Sequence, residues 1–143
     1  ESLFGHSKPA EPIPTFQKKD ILKDGYLEKQ SRYLKTGESK YYPLPHLYRR
    51  YIILMKTHML TYKENNGDWS NPTDCIPINN CCTVKSADDE LNVKNSFKVL
   101  VSDRTFYFQG ADNGDKEAWI GALGKAMIKS SVMIDDNLDG VYM

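Results

Sequence analysis

No stretch of this 143-residue chain approaches the roughly 18 consecutive apolar residues of a membrane-spanning helix, so a helical span is excluded. Cysteine is scarce. Cys75, Cys81 and Cys82 are an odd number without CxxC spacing, which argues against a disulfide-rich secreted scaffold and favours a reducing compartment. Their expected role is small apolar filler in strands. His6, His46 and His58 lie in three separate segments without metal-ligand spacing to cysteines or carboxylates. The phosphate-cradling GxxxxGK[ST], the GxSxG elbow and the HExxH pair are all missing. Net charge is missing too, with 19 Lys and Arg against 19 Asp and Glu, which disfavours a chain that coats nucleic acid. The expectation is therefore a non-enzyme with no cofactor, no metal and no nucleic-acid partner.

The zero charge conceals a strong asymmetry. Residues 1–22 hold three Lys against three acids. Residues 23–63 hold nine Lys and Arg against Asp24, Glu28 and Glu38, a surplus of six positive charges. Residues 64–143 hold seven Lys and Arg against thirteen acids, a deficit of six. A basic front and an acidic back can orient a molecule at an anionic surface with little net attraction at long range.

The length suits one domain with a substantial core. Residues 1–22 contain Pro9, Pro12 and Pro14 with little periodicity and are expected to form an arm or linker. A helical turn is expected within 15–22, with Phe16 and Ile21 packing back on the body. Residues 25–31, 49–55, 59–63, 75–78, 81–85, 96–101 and 104–109 read as seven short strands separated by turns, which points to a barrel or sandwich. The last element differs. Asp112 or Asn113 can cap a helix in which Trp119, Ile120, Leu123 and Met127 recur every three or four residues. That helix is expected to end near residues 129–131 and to plug an open end of the barrel. Residues 132–143 read as an acidic tail. Within it Asp135, Asn137, Asp139 and Gly140 fit the first half of a calcium-loop pattern, but no closing Glu follows, so a plain acidic tail is the better reading.

The order of these motifs resembles the pleckstrin-homology domain: GYLEK at 25–29, RRYIIL at 49–54, MLTYKE at 59–64, SFKV and TFYFQ later, then EAWIGAL at 117–123 with its Trp. The resemblance spans 23–131 and implies a mainly β, seven-stranded barrel or sandwich capped by a C-terminal α-helix. It also implies a basic pocket for phosphorylated lipid headgroups between the first two strands. Lys29 matches the first-strand cation, Arg32, Lys35 and Lys40 the loop cations, Arg50 the Arg opening the second strand, and Tyr62 a phosphate-binding tyrosine of the third. These types suit phosphate, since Arg can donate two charge-assisted hydrogen bonds at once and Lys acts as a mobile point charge.

Two departures shift the expected ligand. Tyr48 stands where the first cation of K/R-x-R belongs, and the loop over 37–48 is enlarged. With one cation fewer, phosphatidic acid is favoured and a phosphoinositide comes next. Tyr41, Tyr42 and Leu44 in that loop form a candidate membrane-insertion tip, because tyrosine suits the membrane–water interface. The alternative is a loop folded back over apolar surface. The arm, basic loop and acidic tail also resemble acylated members of the family from protozoan parasites, associated with phosphatidic acid sensing; this implies myristate and palmitate upstream of Glu1. The overall expectation is a monomeric, peripheral module on the cytosolic face of a membrane. The alternative on the same fold is a protein- or peptide-interaction module.

Overall fold

The computed structural model describes residues 12–30, 47–102 and 104–142, with side chains as far as Lys129. A 3-10 turn at Lys18–Asp20 leads into β1 (Ile21–Gln30), followed by β2 (Leu47–Met55), β3 (His58–Tyr62), β4 (Asp74–Pro77) and β5 (Cys81–Ser86). A short helix α1 (Asp88–Leu91) precedes β6 (Ser96–Val101) and β7 (Arg104–Gln109), and a long helix α2 (Asn113–Tyr142) follows. All seven expected strands are present. They form one antiparallel sheet in the order β4-β3-β2-β1-β7-β6-β5.

Strand alternation sorts the side chains into two apolar sets. Leu27, Ile52, Leu54, Met59, Ile76, Phe97, Val99, Phe106 and Phe108 meet in one core, with Cys81 and Val84 of β5 packed against it. Every strand thus contributes to a single interior, so the sheet wraps around it. Trp119, Leu123 and Ala126 of α2 close that interior. The outward set of β2 and β3 is also buried: Tyr51, Ile53, Met55, Leu60 and Tyr62 pack with Phe16, Ile21, Tyr26, Trp69 and Cys75. Burial on both faces explains the unbroken apolar run over 51–55, which an ordinary half-exposed strand would interrupt with polar residues. The arm supplies part of the outer cover, as expected for Phe16 and Ile21.

Helix α2 lies at the end where β1 begins. The Lys23 ammonium sits 5.0 Å above the Trp119 ring, and Gly25, at φ +154, passes beside the edge of the indole. Asp112 accepts the amide of Asp115 at 2.7 Å, while the Asp115 carboxylate accepts the amide of Ala111 at 2.9 Å. The cap is thus Asp112, satisfying a helix-end donor that would otherwise lack a partner. Lys116 in the first turn is buried, and its Nζ donates to Ser86 Oγ at 2.8 Å and Asp88 Oδ1 at 3.0 Å. Asp88 also accepts the Ser96 amide at 2.8 Å. That network holds α1, which has no strong sequence signal, between β5 and β6.

Three expectations change. Helix α2 runs on to Tyr142 instead of stopping near residues 129–131. Ser130 and Ser131 are not strong breakers, and no proline follows to end the hydrogen-bond ladder. The stretch expected as a separate acidic tail over 132–143 therefore continues the same helical backbone as far as Tyr142. Cys82 is exposed and not filler, although Cys81 and Cys75 do pack against the inner and outer clusters.

Candidate functional site

The end of the barrel opposite Trp119 is where β1 and β3 finish and β2, β4 and β7 begin. Its chemistry follows from strand parity. Lys29 lies two residues beyond Leu27 and Arg50 two before Ile52, so both continue the interior-facing rows of adjacent strands. Arg50 pairs across the ladder with Leu27 and Lys29 with Tyr48, which makes Lys29 and Arg50 diagonal neighbours on one face. Two expected site residues are therefore brought together.

Lys29 is nonetheless deeply set, at 6% exposure. Its ammonium lies 3.5 Å from Asp74 Oδ2 and 5.6 Å from the centre of the Phe106 ring. The other oxygen of Asp74 lies 3.6 Å from Arg104 Nη1, and the Arg104 guanidinium stacks 3.9 Å above the same Phe106 ring. The Thr61 hydroxyl donates to Asp74 Oδ2 at 2.8 Å and lies 2.6 Å from the Thr73 hydroxyl. A lysine from β1 and an arginine from β7 thus adjoin one aromatic ring and share one carboxylate from β4. The wrapped sheet makes this reach possible, since β4 is the edge farthest from β7 along the strand order on that side.

Arg104 was not among the expected site residues. The signal was available: it shares parity with Phe106 and Phe108 at the opening of β7, so it must face inward. Arg50 is half-buried and its guanidinium donates to the Arg49 carbonyl at 3.0 Å. It also lies 5.4 Å from the Tyr48 ring, which is 49% exposed at the rim. Among these described residues the mouth thus carries three cations, Lys29, Arg50 and Arg104, with one carboxylate, Asp74, already between two of them. Such a set can hold a small anion by charge-assisted hydrogen bonds.

Tyr62 sits elsewhere. It pairs with Tyr51 across β2 and β3 and belongs to the outer cluster, on the opposite face of the sheet from Lys29 and Arg50. Its hydroxyl donates to the Trp69 carbonyl at 2.9 Å, and its ring meets Trp69 edge-on. Burial pushes its phenol up to about 12, so it is a neutral donor under ordinary conditions. The structure gives Tyr62 the task of fastening the β3–β4 connection. Arg49 shares that outer side, stacked 4.1 Å above the Tyr26 ring. Tyr51 also lies there, donating to Asp24, and burial raises its phenol further. Arg32, Lys35, Lys40, Tyr41, Tyr42 and Leu44 lie outside the described residues.

Comparison with known proteins agrees with this architecture. The Arabidopsis thaliana pleckstrin homology domain-containing protein 1 is 27% identical over 118 residues, covering 80% of this chain and 74% of that protein. A pleckstrin homology domain solved in solution superposes with a TM-score of 0.63 at 18% identity, covering 80% of this chain and 92% of its own. The C-terminal PH domain of pleckstrin, crystallised with D-myo-Ins(1,2,3,4,5)P5, gives a TM-score of 0.56 at 22% identity and covers 74% and 97% of the two chains. The PH domain family model matches residues 21–127, from the first residue of β1 into α2. With seven antiparallel strands in one sheet closed by a C-terminal helix, this chain belongs to the PH domain family.

Proposed function

We propose that this domain is a peripheral membrane module that holds the phosphate of an anionic lipid headgroup at the barrel mouth. Domains of this family often bind phosphoinositides or proteins and are generally non-catalytic. The observation that carries the proposal is the convergence of Lys29, Arg50 and Arg104 on one interior face at the mouth. The inositol pentakisphosphate bound to the pleckstrin domain supports a phosphate ester as the class of ligand. The small cation set favours phosphatidic acid, with a phosphoinositide next, because each further phosphate needs its own donors. Arg32, Lys35 and Lys40 would add charge from the loop, where each basic residue near an anionic leaflet contributes about 1 kcal/mol. Tyr41, Tyr42 and Leu44 would enter the headgroup layer. The membrane is the cytosolic leaflet, and acyl chains upstream of Glu1 would supply a second anchor, since one signal alone holds a protein only marginally.

Vesicle sedimentation tests the proposal. Phosphatidic acid, phosphatidylserine and inositol lipids are compared for the wild type and Arg50→Glu, each at low and high salt. Pelleting with phosphatidic acid that weakens in Arg50→Glu and in high salt is expected, because surface charge attraction is screened. If the wild type pellets with no acidic vesicle, headgroup binding is refuted. Pelleting that ignores both salt and Arg50→Glu would place membrane attachment on apolar surface away from this mouth and refute headgroup binding there.

A further inference from the structure

The headgroup mouth already contains an anion of its own. Asp74 presents one carboxylate oxygen to Lys29 at 3.5 Å and the other to Arg104 at 3.6 Å. Its side chain is 6% exposed, and the Thr61 hydroxyl fixes the oxygen that faces Lys29. This is not an incidental surface pair. The carboxylate comes from β4, and the two cations come from β1 and β7 on the far side of the interior. All of these groups are held on strands, and the Phe106 ring lies against both cations. A fixed carboxylate in that position does what a ligand phosphate would do for the same cations: it balances their charge in a region with little water.

We propose that Asp74 is a specificity-determining residue of the headgroup site, an internal competitor that a ligand phosphate must displace or bind against. The inference rests on the headgroup function proposed above. Removing the ligand's water is worthwhile only if the cations gain more from the phosphate than they lose from Asp74. A phosphomonoester carries about −1.5 to −2 charges and three acceptor oxygens near neutral pH, which exceeds the single charge of a carboxylate. A phosphodiester headgroup such as phosphatidylserine offers one phosphate charge and gains little by the exchange. Asp74 thus sets a threshold that a monoester passes and a diester does not. The same charge suppresses indiscriminate attachment to every acidic membrane, since like-charge juxtaposition opposes the wrong partner. Lys29 and Arg104 meanwhile remain neutralised and ordered when no ligand is bound, so the buried lysine is not left as an uncompensated charge.

Asp74→Asn tests this, because the amide keeps the shape and can still accept from Thr61 while the charge is gone. Phosphatidic acid and phosphatidylserine vesicles are titrated by sedimentation, and glycerol 3-phosphate in solution is titrated by calorimetry. Asp74→Asn is expected to bind phosphatidic acid about tenfold more tightly, and to bring phosphatidylserine into the measurable range. A gain in both the vesicle and soluble arms places the competition at the phosphate itself, and a gain in vesicles alone places it at the lipid surface; both uphold the proposal. If the wild type pellets with no acidic vesicle, headgroup binding is refuted and the competitor role falls with it, whatever Asp74→Asn does. If the wild type binds and Arg50→Glu abolishes binding, but Asp74→Asn is unchanged or weaker, the competitor role is overturned while headgroup binding stands. If neither protein binds any vesicle or the soluble headgroup, both fall. Asp74→Ser, checked for a cooperative melt, gives the same comparison should the asparagine variant not fold.

Discussion

Replacing Tyr62 by Phe separates a structural tyrosine from a ligand-binding one. The substitution keeps the ring, its 5.4 Å edge contact with Trp69 and its place in the outer cluster. It removes only the hydroxyl that donates to the Trp69 carbonyl at 2.9 Å. A neutral hydrogen bond contributes about 0.5–1.5 kcal/mol net, and a carbonyl left without its donor costs most where water cannot reach. Trp69 is only partly buried, so its carbonyl can recruit water and a loss of about 1 kcal/mol is expected. For a domain of this length that lowers Tm by about 3–5 °C, readable by calorimetry or circular dichroism. The alkaline limb supplies a second check. An unfolded tyrosine ionises near its ordinary value of 10.0, whereas burial pushes Tyr62 in the fold up to about 12. Between those values the unfolded chain loses its proton first, so wild-type stability falls as pH rises through that window. Tyr62→Phe removes this contribution, and the fall becomes shallower. Binding to phosphatidic acid vesicles is expected to be unchanged, because the hydroxyl lies on the sheet face opposite Lys29 and Arg50. A large drop in vesicle binding with an unaltered melt would refute the assignment of Tyr62 to the outer cluster.

Lys116→Met is expected to lower stability by about 1–3 kcal/mol, less than for a fully buried pair, because Asp88 is 36% exposed and can be hydrated. The hydrogen bond from Lys116 is the chief cause holding the Asp88 carboxyl below its usual range. That contribution is present above the unfolded carboxylate pKa and is lost as pH falls through the depressed folded value. Urea melts from neutral to acid should therefore show a shallower acid-side loss in Lys116→Met; an identical slope would contradict the pairing. Leu44→Asp places a charge in the connection expected over 37–48, of which Leu47 and Tyr48 in fact belong to β2. It should reduce pelleting with phosphatidic acid vesicles several-fold by electrostatic and desolvation cost at the interface, and unchanged pelleting would exclude insertion of that loop.

Much of the fold was legible because its signals are local. Alternating apolar residues marked β1, β6 and β7, and the run over 51–55 marked β2 even though burial on two faces erased its alternation. Trp119, Leu123 and Met127 marked α2, and Asp112 marked its start. The short helix α1 was not legible, because Asp88–Leu91 is held by Lys116 and Ser96, which come from other parts of the chain. The end of α2 expected near residues 129–131 has no local breaker behind it, since Ser130 and Ser131 let the backbone ladder proceed to Tyr142. Of the site, Lys29 and Arg50 could be placed by parity from Leu27 and Ile52. Arg104 could have been placed in the same way from Phe106.

The sequence alone determined which residues alternate, where the cations concentrate and which helix must bury a face, since each depends on neighbours a few positions apart. It could not determine the face that Tyr62 occupies, because that required the register pairing it with Tyr51. Nor could it place Asp74, which by segment count belonged to the acidic back half. Only the wrapping of the sheet carries that carboxylate across the interior to Lys29 and Arg104. Coulomb attraction acts through space, and the distances between charges are properties of the closed barrel and not of the chain that forms it.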